Sequence, residues 1–363
     1  MSGAAIPFLK HMSAMNLGCG RIFRIILMLT ARCPLQCRIC GIWKGREKTD
    51  PSLHDLESFF TRNSFSWINL TGGEIFMRRD MAELFHLIKR TQKELMYLSL
   101  PSSGYLVEET KAGVEAAIRS KLPHLYVTIS FDGGPQTHDA LRKGDHAFQR
   151  AKETYHALKG LAAATHGVLK VVPGLTLSSE LLALSRDPVN DLVQELGLDG
   201  PQDVHINLSH TAPHYYRNPD LVPLSTDETI SYIRKQLEQG RTATSSLKML
   251  ESLYLKGAIQ YLKTGRPPLA CKACSASVFV DSQWNVFPCT HFPFPIGSLQ
   301  ESGFDLSPLV SSQPFKEAQS KVSAGDCPGC WTPCEAFTSL TGSLIKPSFY
   351  KLASSETFGG RLC

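Results

Sequence analysis

Ile22-Phe-Arg-Ile-Ile-Leu-Met-Leu29-Thr-Ala-Arg-Cys33-Pro-Leu-Gln-Cys37-Arg-Ile-Cys40 is the stretch on which the fold turns. Its first half is a short apolar run interrupted by Arg24, far below the roughly 20 residues a bilayer span needs, and it reads as a strand. Its second half places three thiols within eight residues directly after that strand. Three thiolates at this spacing reach one centre only if the loop wraps around it. Thiolates ligate iron–sulfur clusters and zinc, and a structural zinc site takes four protein ligands. Three leave one position open for a substrate or cofactor, unless a distant fourth ligand completes a zinc loop.

Working outward, short apolar runs alternate with amphipathic stretches. Strand-like segments are Trp67–Leu70, Tyr97–Leu100, Leu125–Phe131, Val168–Leu175 and Val204–Leu208; helical patterns lie at Leu53–Arg62, Asp80–Gln92, Val107–Ser120, Ala147–Leu158, Val189–Leu196 and Thr226–Gln239, the last opened by Ser225 as N-cap. Repeated strand–helix units imply parallel strands joined by right-handed crossovers. Six of them make a (β/α)6 partial barrel or an open sheet. A further helical stretch, Leu247–Leu262, leads to Arg266-Pro267-Pro268, where the composition changes. Val278–Phe287 beyond it has the pattern of a β-hairpin with Asn285 at the left-handed position of its tip. The expected organisation is an N-terminal segment (1–20), an α/β core (21–245), a helix plus a small cysteine-rich domain (246–345) and a tail (346–363).

The chain's 363 residues are 42% hydrophobic and 20% charged, with a formal charge of +5 that is scattered rather than blocked. No nucleic-acid surface is expected from that distribution. No transmembrane segment or signal peptide is evident, so the cytoplasm is the expected compartment. Met1–Leu17 has amphipathic spacing, which suits packing on the barrel or resting on a membrane surface. The 11 cysteines fall in two tight groups, with Cys19 and Cys363 left over and none between Gly41 and Ala270. Clustered cysteines without an export signal point to metal rather than disulfides.

The first group resembles the signature of the radical S-adenosylmethionine (radical SAM) superfamily, Cys-x3-Cys-x2-Cys after the first strand. The resemblance implies a (β/α)6 TIM-like partial barrel and a [4Fe–4S] cluster on Cys33, Cys37 and Cys40. It further implies S-adenosylmethionine on the fourth iron and Ile39 packing near the adenine, where relatives often carry an aromatic residue. Thr71-Gly72-Gly73-Glu74 after the second strand is similar to the family's Gly-Gly-Glu motif at the methionine amino group. Ser102-Ser103-Gly104 stands where relatives often have Thr-Asn-Gly, so Ser103 replaces an asparagine. Ser130-Phe131-Asp132-Gly133, followed by His138-Asp139-x-x-Arg142, resembles the segment whose serine and arginine hold the ribose and carboxylate. Asp132 either touches that ribose or caps the turn. Thr176 and Ser178 either approach the adenosine or serve their turn. All these positions fall at the carboxyl ends of strands, where parallel α/β sheets build sites.

Cys271-x2-Cys274, Cys289 and Cys327-x2-Cys330-x3-Cys334 form the second group. They fit either a zinc-ribbon-like module or, by resemblance, a SPASM/Twitch-type auxiliary domain with Pro288-Cys289 closing its hairpin. The later group is one member short of the full SPASM pattern, so one auxiliary [4Fe–4S] cluster is expected, with Cys274 and Cys289 favoured among its ligands and Cys363 as a spare. The implied activity is reductive cleavage of S-adenosylmethionine to a 5′-deoxyadenosyl radical that abstracts hydrogen from a peptide, a small molecule or a lipid precursor. An external flavodoxin- or ferredoxin-type donor would supply the electron. The cysteine-free barrel favours oxidation, crosslinking or carbon–carbon chemistry over epimerisation, which often ends on a thiol. About twenty residues precede the first strand, too few for a fused peptide-recognition domain. His210-Thr-Ala-Pro-His214-Tyr215-Tyr216 either lines a substrate pocket or is a polar loop. The competing non-enzymatic reading is a zinc-stabilised binding protein.

Overall fold

The computed structural model describes residues 5–17, 21–45, 50–240 and 246–354. Cys19 and Cys363 lie outside them. Six parallel strands, β1 (Arg24–Thr30), β2 (Trp67–Gly72), β3 (Tyr97–Ser102), β4 (His124–Phe131), β5 (Leu169–Leu177) and β6 (His205–Leu208), follow one another with helices between them. They stand in the order β6-β5-β4-β3-β2-β1. A doubly wound sheet reverses its order at a switch point. Here every crossover steps the same way, which decides for the partial barrel over the open sheet.

Side-chain alternation separates the two faces. Leu125, Val127, Ile129 and Phe131 of β4 join the main core under the helices, while Tyr126, Thr128 and Ser130 between them are partly exposed on the barrel's inner face. β1 is buried throughout, with Ile25, Leu27 and Leu29 in the helix-side core and Ile26 and Met28 in a separate inner cluster with Phe279 and Tyr215.

The hairpin is present as β7 (Ser277–Val280) and β8 (Asn285–Phe287), extended by the two-residue β9 (Gly297–Ser298). It is no separate layer. β7 pairs in parallel with β1, from Arg24 opposite Ser277 to Leu27 opposite Val280, and continues the barrel sheet. The tip also departs from expectation: the left-handed residue is Trp284 (φ 67°), and Asn285 already belongs to β8. Asp281 makes the turn, its carboxylate accepting from the Gln283 and Asn285 amides and from Asn285 Nδ2. Ser225 occupies the N-cap position of helix Thr226–Gln239 without a side-chain capping bond. The amino-terminal helix, Ala5–Asn16, packs on the body of the protein through Met15, which is buried with Phe23 and Ala276. Among the described residues no helix is long and apolar enough to cross a membrane.

Candidate active site

Cys33, Cys37 and Cys40 occupy the loop after β1, partly exposed and outside any disulfide. Main-chain bonds pin this loop across the barrel mouth. Arg38 N–H donates to Leu141 O at 2.9 Å on one side, and Gly41 N–H donates to Tyr216 O at 2.6 Å on the other. Asn218 Nδ2 holds Ile39 O at 3.0 Å. The three sulfurs feel one another. Burial first, and then the neighbouring sulfurs, push Cys33 up to about 12 and Cys40 up to about 11. Thiols so placed ionise only against compensating positive charge, and coordination to a metal supplies it. Cys33 and Cys40 each accept an N–H from the residue two places on, Leu35 and Ile42.

The turn after β2 presses against this loop. A Cβ on Gly73 would meet Arg32 O at 2.2 Å and Cys33 Cβ at 3.0 Å, so only glycine lets the two loops approach. Gly72, at φ +153°, lies equally close to Thr30 O. Glu74 is 0% exposed. Its carboxylate accepts from Ser102 Oγ (3.0 Å), the Ser103 amide (2.8 Å), Ser103 Oγ (2.6 Å) and the Phe76 amide (3.3 Å). It therefore ties the β2 and β3 turns together. Ser103 donates to Glu74 through both its amide and its hydroxyl, and that hydroxyl accepts from the Tyr105 amide at 3.3 Å.

Asp132, after β4, is 2% exposed and receives Arg142 Nε at 2.6 Å. Its Oδ1 has no partner, and it caps no turn. Arg142 Nη1 stands 3.9 Å from Cys37 Sγ, so one guanidinium bridges the carboxylate and the cysteine loop. Burial opposes its charge, yet Asp132 and Cys37 hold Arg142 above the usual guanidinium value. His138 accepts the Asp132 amide at Nδ1 (3.0 Å), and burial pushes the imidazole down to about 3. Ser130 lies on the inner face. Ser178 takes the turn role, capping Leu181 N–H, while Thr176 lines an inner cavity beside Ile39.

The second group sorts itself. Cys271, Cys289 and Cys330 lie within electrostatic reach of one another, and Cys327 within reach of Cys271 and Cys330. Cys271, Cys289 and Cys330 repeat the pattern of the first loop, accepting N–H groups from Ala273 (3.5 Å), His291 (3.4 Å) and Thr332. Cys274, favoured from the sequence, stands apart: buried, left-handed at φ 58°, and coupled only to Glu335. Cys334 turns toward the barrel interior, packing with Cys40 and Tyr216 against the cluster of Ile26 and Phe279. Arg24, 2% exposed, reaches across to the Cys334 carbonyl and the Thr338 hydroxyl. Among the described residues no three Cys, His, Asp or Glu side chains could share a single metal ion. A cubane takes one thiolate on each iron and so suits sulfurs held apart.

The 210–216 loop folds into the barrel mouth rather than over the surface. Tyr215 shares a 2.6 Å hydrogen bond with Thr71, and His210 packs edge-on to His291 with ring centres 5.2 Å apart. Asn218, Ser102 and His291 went unnoticed as site residues in the sequence. Only His291, two places after Cys289, had a spacing that could have marked it.

Residues 27–184 match the family model described as the Radical SAM superfamily. Among solved structures, hexahistidine-tagged anSMEcpe with bound AdoMet superposes with a TM-score of 0.59 over 82% of this chain and 82% of that one, at 15% identity. Native anSMEcpe with bound AdoMet and Cp18Cys peptide gives 0.57 over 91% and 97%, at 15% identity. Streptococcus suis SuiB bound to S-adenosylmethionine gives 0.57 over 87% and 72%, at 13%. At such identities the likeness is one of fold, and it runs through the cysteine-rich end as well as the barrel. The family match thus places a radical S-adenosylmethionine superfamily domain over residues 27–184, within a fold that the chain shares with these structures.

Proposed function

We propose that the chain is a radical SAM enzyme with one auxiliary cluster. The observation that carries this reading is the Cys33, Cys37 and Cys40 loop, pinned across the barrel mouth with Gly73 against it and Arg142 reaching Cys37. These three thiolates would hold a [4Fe–4S] cluster and leave one iron for S-adenosylmethionine. When bound, cluster and cofactor would supply the chemistry, one-electron cleavage of the sulfonium into methionine and a 5′-deoxyadenosyl radical able to take hydrogen from the substrate. The chain's part is placement and exclusion of water. Arg142, its Nε held by Asp132 and its Nη1 beside Cys37, keeps Nη2 for a carboxylate. Glu74 is a positioning residue that fixes the Gly72-Gly73 turn, leaving main-chain carbonyls there for an ammonium. Ile39, Ser130 and Thr176 offer apolar and hydroxyl surface to an adenosine.

Cys271, Cys289, Cys327 and Cys330 are the four ligands we assign to the auxiliary cluster, supported by their mutual reach and the shared N–H···S pattern. N–H groups on the sulfurs favour the reduced cluster and tune its potential. An external flavodoxin- or ferredoxin-type donor would feed it, and electron relay or substrate anchoring is its role. A peptide substrate is supported by the peptide complex of anSMEcpe. The polar inner face, with Asn69, Ser99, Thr128 and Asn207, suits a hydrogen-bonding chain.

The test is anaerobic reconstitution. With iron, sulfide, reductant and S-adenosylmethionine the protein is expected to form 5′-deoxyadenosine, and a Cys33/Cys37/Cys40→Ala variant to form none while retaining auxiliary iron. A colourless, zinc-loaded protein that leaves the cofactor intact would sink the proposal.

A further inference from the structure

β5 runs nine residues and β6 only four. Their pairing starts at Gly174 opposite His205, so no strand stands beside Leu169–Pro173 on that side. The space that β6 leaves is a cavity of about 490 Å³, within the range of small-molecule sites. The turn Pro201–Asp203 and the start of the helix Ser246–Thr264 form its far wall. This cavity lies at the amino ends of the strands, whereas Cys33, Cys37 and Cys40 follow the carboxyl end of β1. It is a different place from the site described above.

Charge around this space is unbalanced. Lys170 stands opposite Tyr126 in the β4–β5 register, within electrostatic reach of Lys159 and Lys248. Lys248 has its carboxylate, Asp203 at 2.8 Å, and His205 takes Glu251 at 2.9 Å. Neither Lys159 nor Lys170 has an ion-pair partner among the described residues. Asp199, exposed on the rim, is not among the charges that act on Lys170. Burial, then Lys248 and Lys159, hold the Lys170 ammonium below its ordinary value, as like charges without a counterion do. Hydrogen bonding is unbalanced in the same sense. Tyr155 lines the cavity at 3% exposure, yet its hydroxyl makes no hydrogen bond among the described residues, and neither does that of Tyr126. Burial pushes the Tyr155 phenol up to about 12, so it remains a donor. A buried hydroxyl without a partner is costly unless something enters to meet it.

Two ammonium groups and two phenols are all donors, and together they call for an acceptor-rich group with about two negative charges. A phosphate monoester carries about 1.5 to 2 at pH 7, and a carboxylate only about half of that. The cavity is far larger than a bare phosphate, and Val172, Leu198 and Leu247 give the rest of its wall an apolar character. We propose that the gap beside β5 binds a phosphate monoester, its head on Lys159, Lys170 and Tyr155 and its organic body against that apolar wall. This second site stands independently of the radical SAM reading.

Phenyl phosphate is the probe and benzoate its singly charged control, with binding to the reconstituted protein followed by titration calorimetry, with and without saturating S-adenosylmethionine. Phenyl phosphate is expected to bind at a single site under both conditions, and benzoate about tenfold more weakly. Lys170→Met and Tyr155→Phe should each weaken phenyl phosphate about tenfold, the worth of one charge-assisted hydrogen bond. Lys263→Met, which removes an exposed lysine outside the cavity, should leave binding unchanged. Circular dichroism checks that the variants fold. Benzoate binding as tight as that of phenyl phosphate, binding indifferent to both cavity variants, or no binding at about 10 mM would overturn the proposal. So would binding that S-adenosylmethionine abolishes, which would put the phosphate in the cofactor's place.

Discussion

Asp132 and Arg142 carry the most exposed risk among single residues of the site. Asp132 is buried with one oxygen bare, and Arg142 is its charge partner. Arg142→Met should therefore lose about 3–5 kcal/mol of stability, since it leaves an uncompensated buried charge. Denaturant midpoints measure this, and a loss under about 1 kcal/mol would mean that the Asp132–Arg142 pair contributes little to the fold. His138 behind Asp132 sets a pH dependence. Its folded value is about 3 against 6.5 for an ordinary imidazole. The unfolded chain thus binds the extra proton. The stability His138 contributes is fully present above pH 6.5 and is lost as pH falls toward 3, at up to about 1.4 kcal/mol per pH unit. His138→Asn, which keeps an acceptor for the Asp132 amide, should flatten that slope in acid denaturation curves. These pairings were only half legible in sequence. Asp132 and Arg142 stood out by spacing, but their partnership did not, because it depends on where the helix Pro135–Arg142 directs its last turn.

Elements were the most legible level. Strand and helix periods placed all six strand–helix units, because a half-buried element shows its packing in its own residues. What the period does not contain is contact between loops. Gly73→Ala tests one: its methyl would enter the Arg32 carbonyl. Iron content should fall toward that of the Cys33/Cys37/Cys40→Ala protein, with auxiliary iron retained; full iron loading would show the cysteine loop tolerates displacement. The hairpin tip shows local preference being overruled. Asn285 is the better left-handed residue, yet Trp284 takes that conformation and buries its ring, 1% exposed, 5.4 Å from Phe59 and 5.0 Å from Phe304. A left-handed non-glycine costs about 1–2 kcal/mol, while burying a large side chain returns about 1.5–3. Packing wins.

At the scale of the molecule, β7 makes β1 an interior strand. Without it, the edge of β1 and the inner cluster of Ile26 and Met28 lie open, and Phe279 is lost with it. A chain ending at Gly240 should therefore aggregate or bind hydrophobic dyes, because an apolar edge strand templates association. A soluble, cooperatively folding truncate would show that the barrel closes alone. The cysteine-rich region is thus joined to the barrel through one continuous sheet.

By itself the sequence determined the strand–helix units and the three thiols after β1 and pointed to the superfamily domain, since each is written in local spacing and composition. Only the tertiary structure decided which of the later cysteines gather, why Cys274 and Cys334 stand apart, and that His210 meets His291. Those choices depend on β7 docking against β1, a pairing between segments some 250 residues apart that no local pattern encodes.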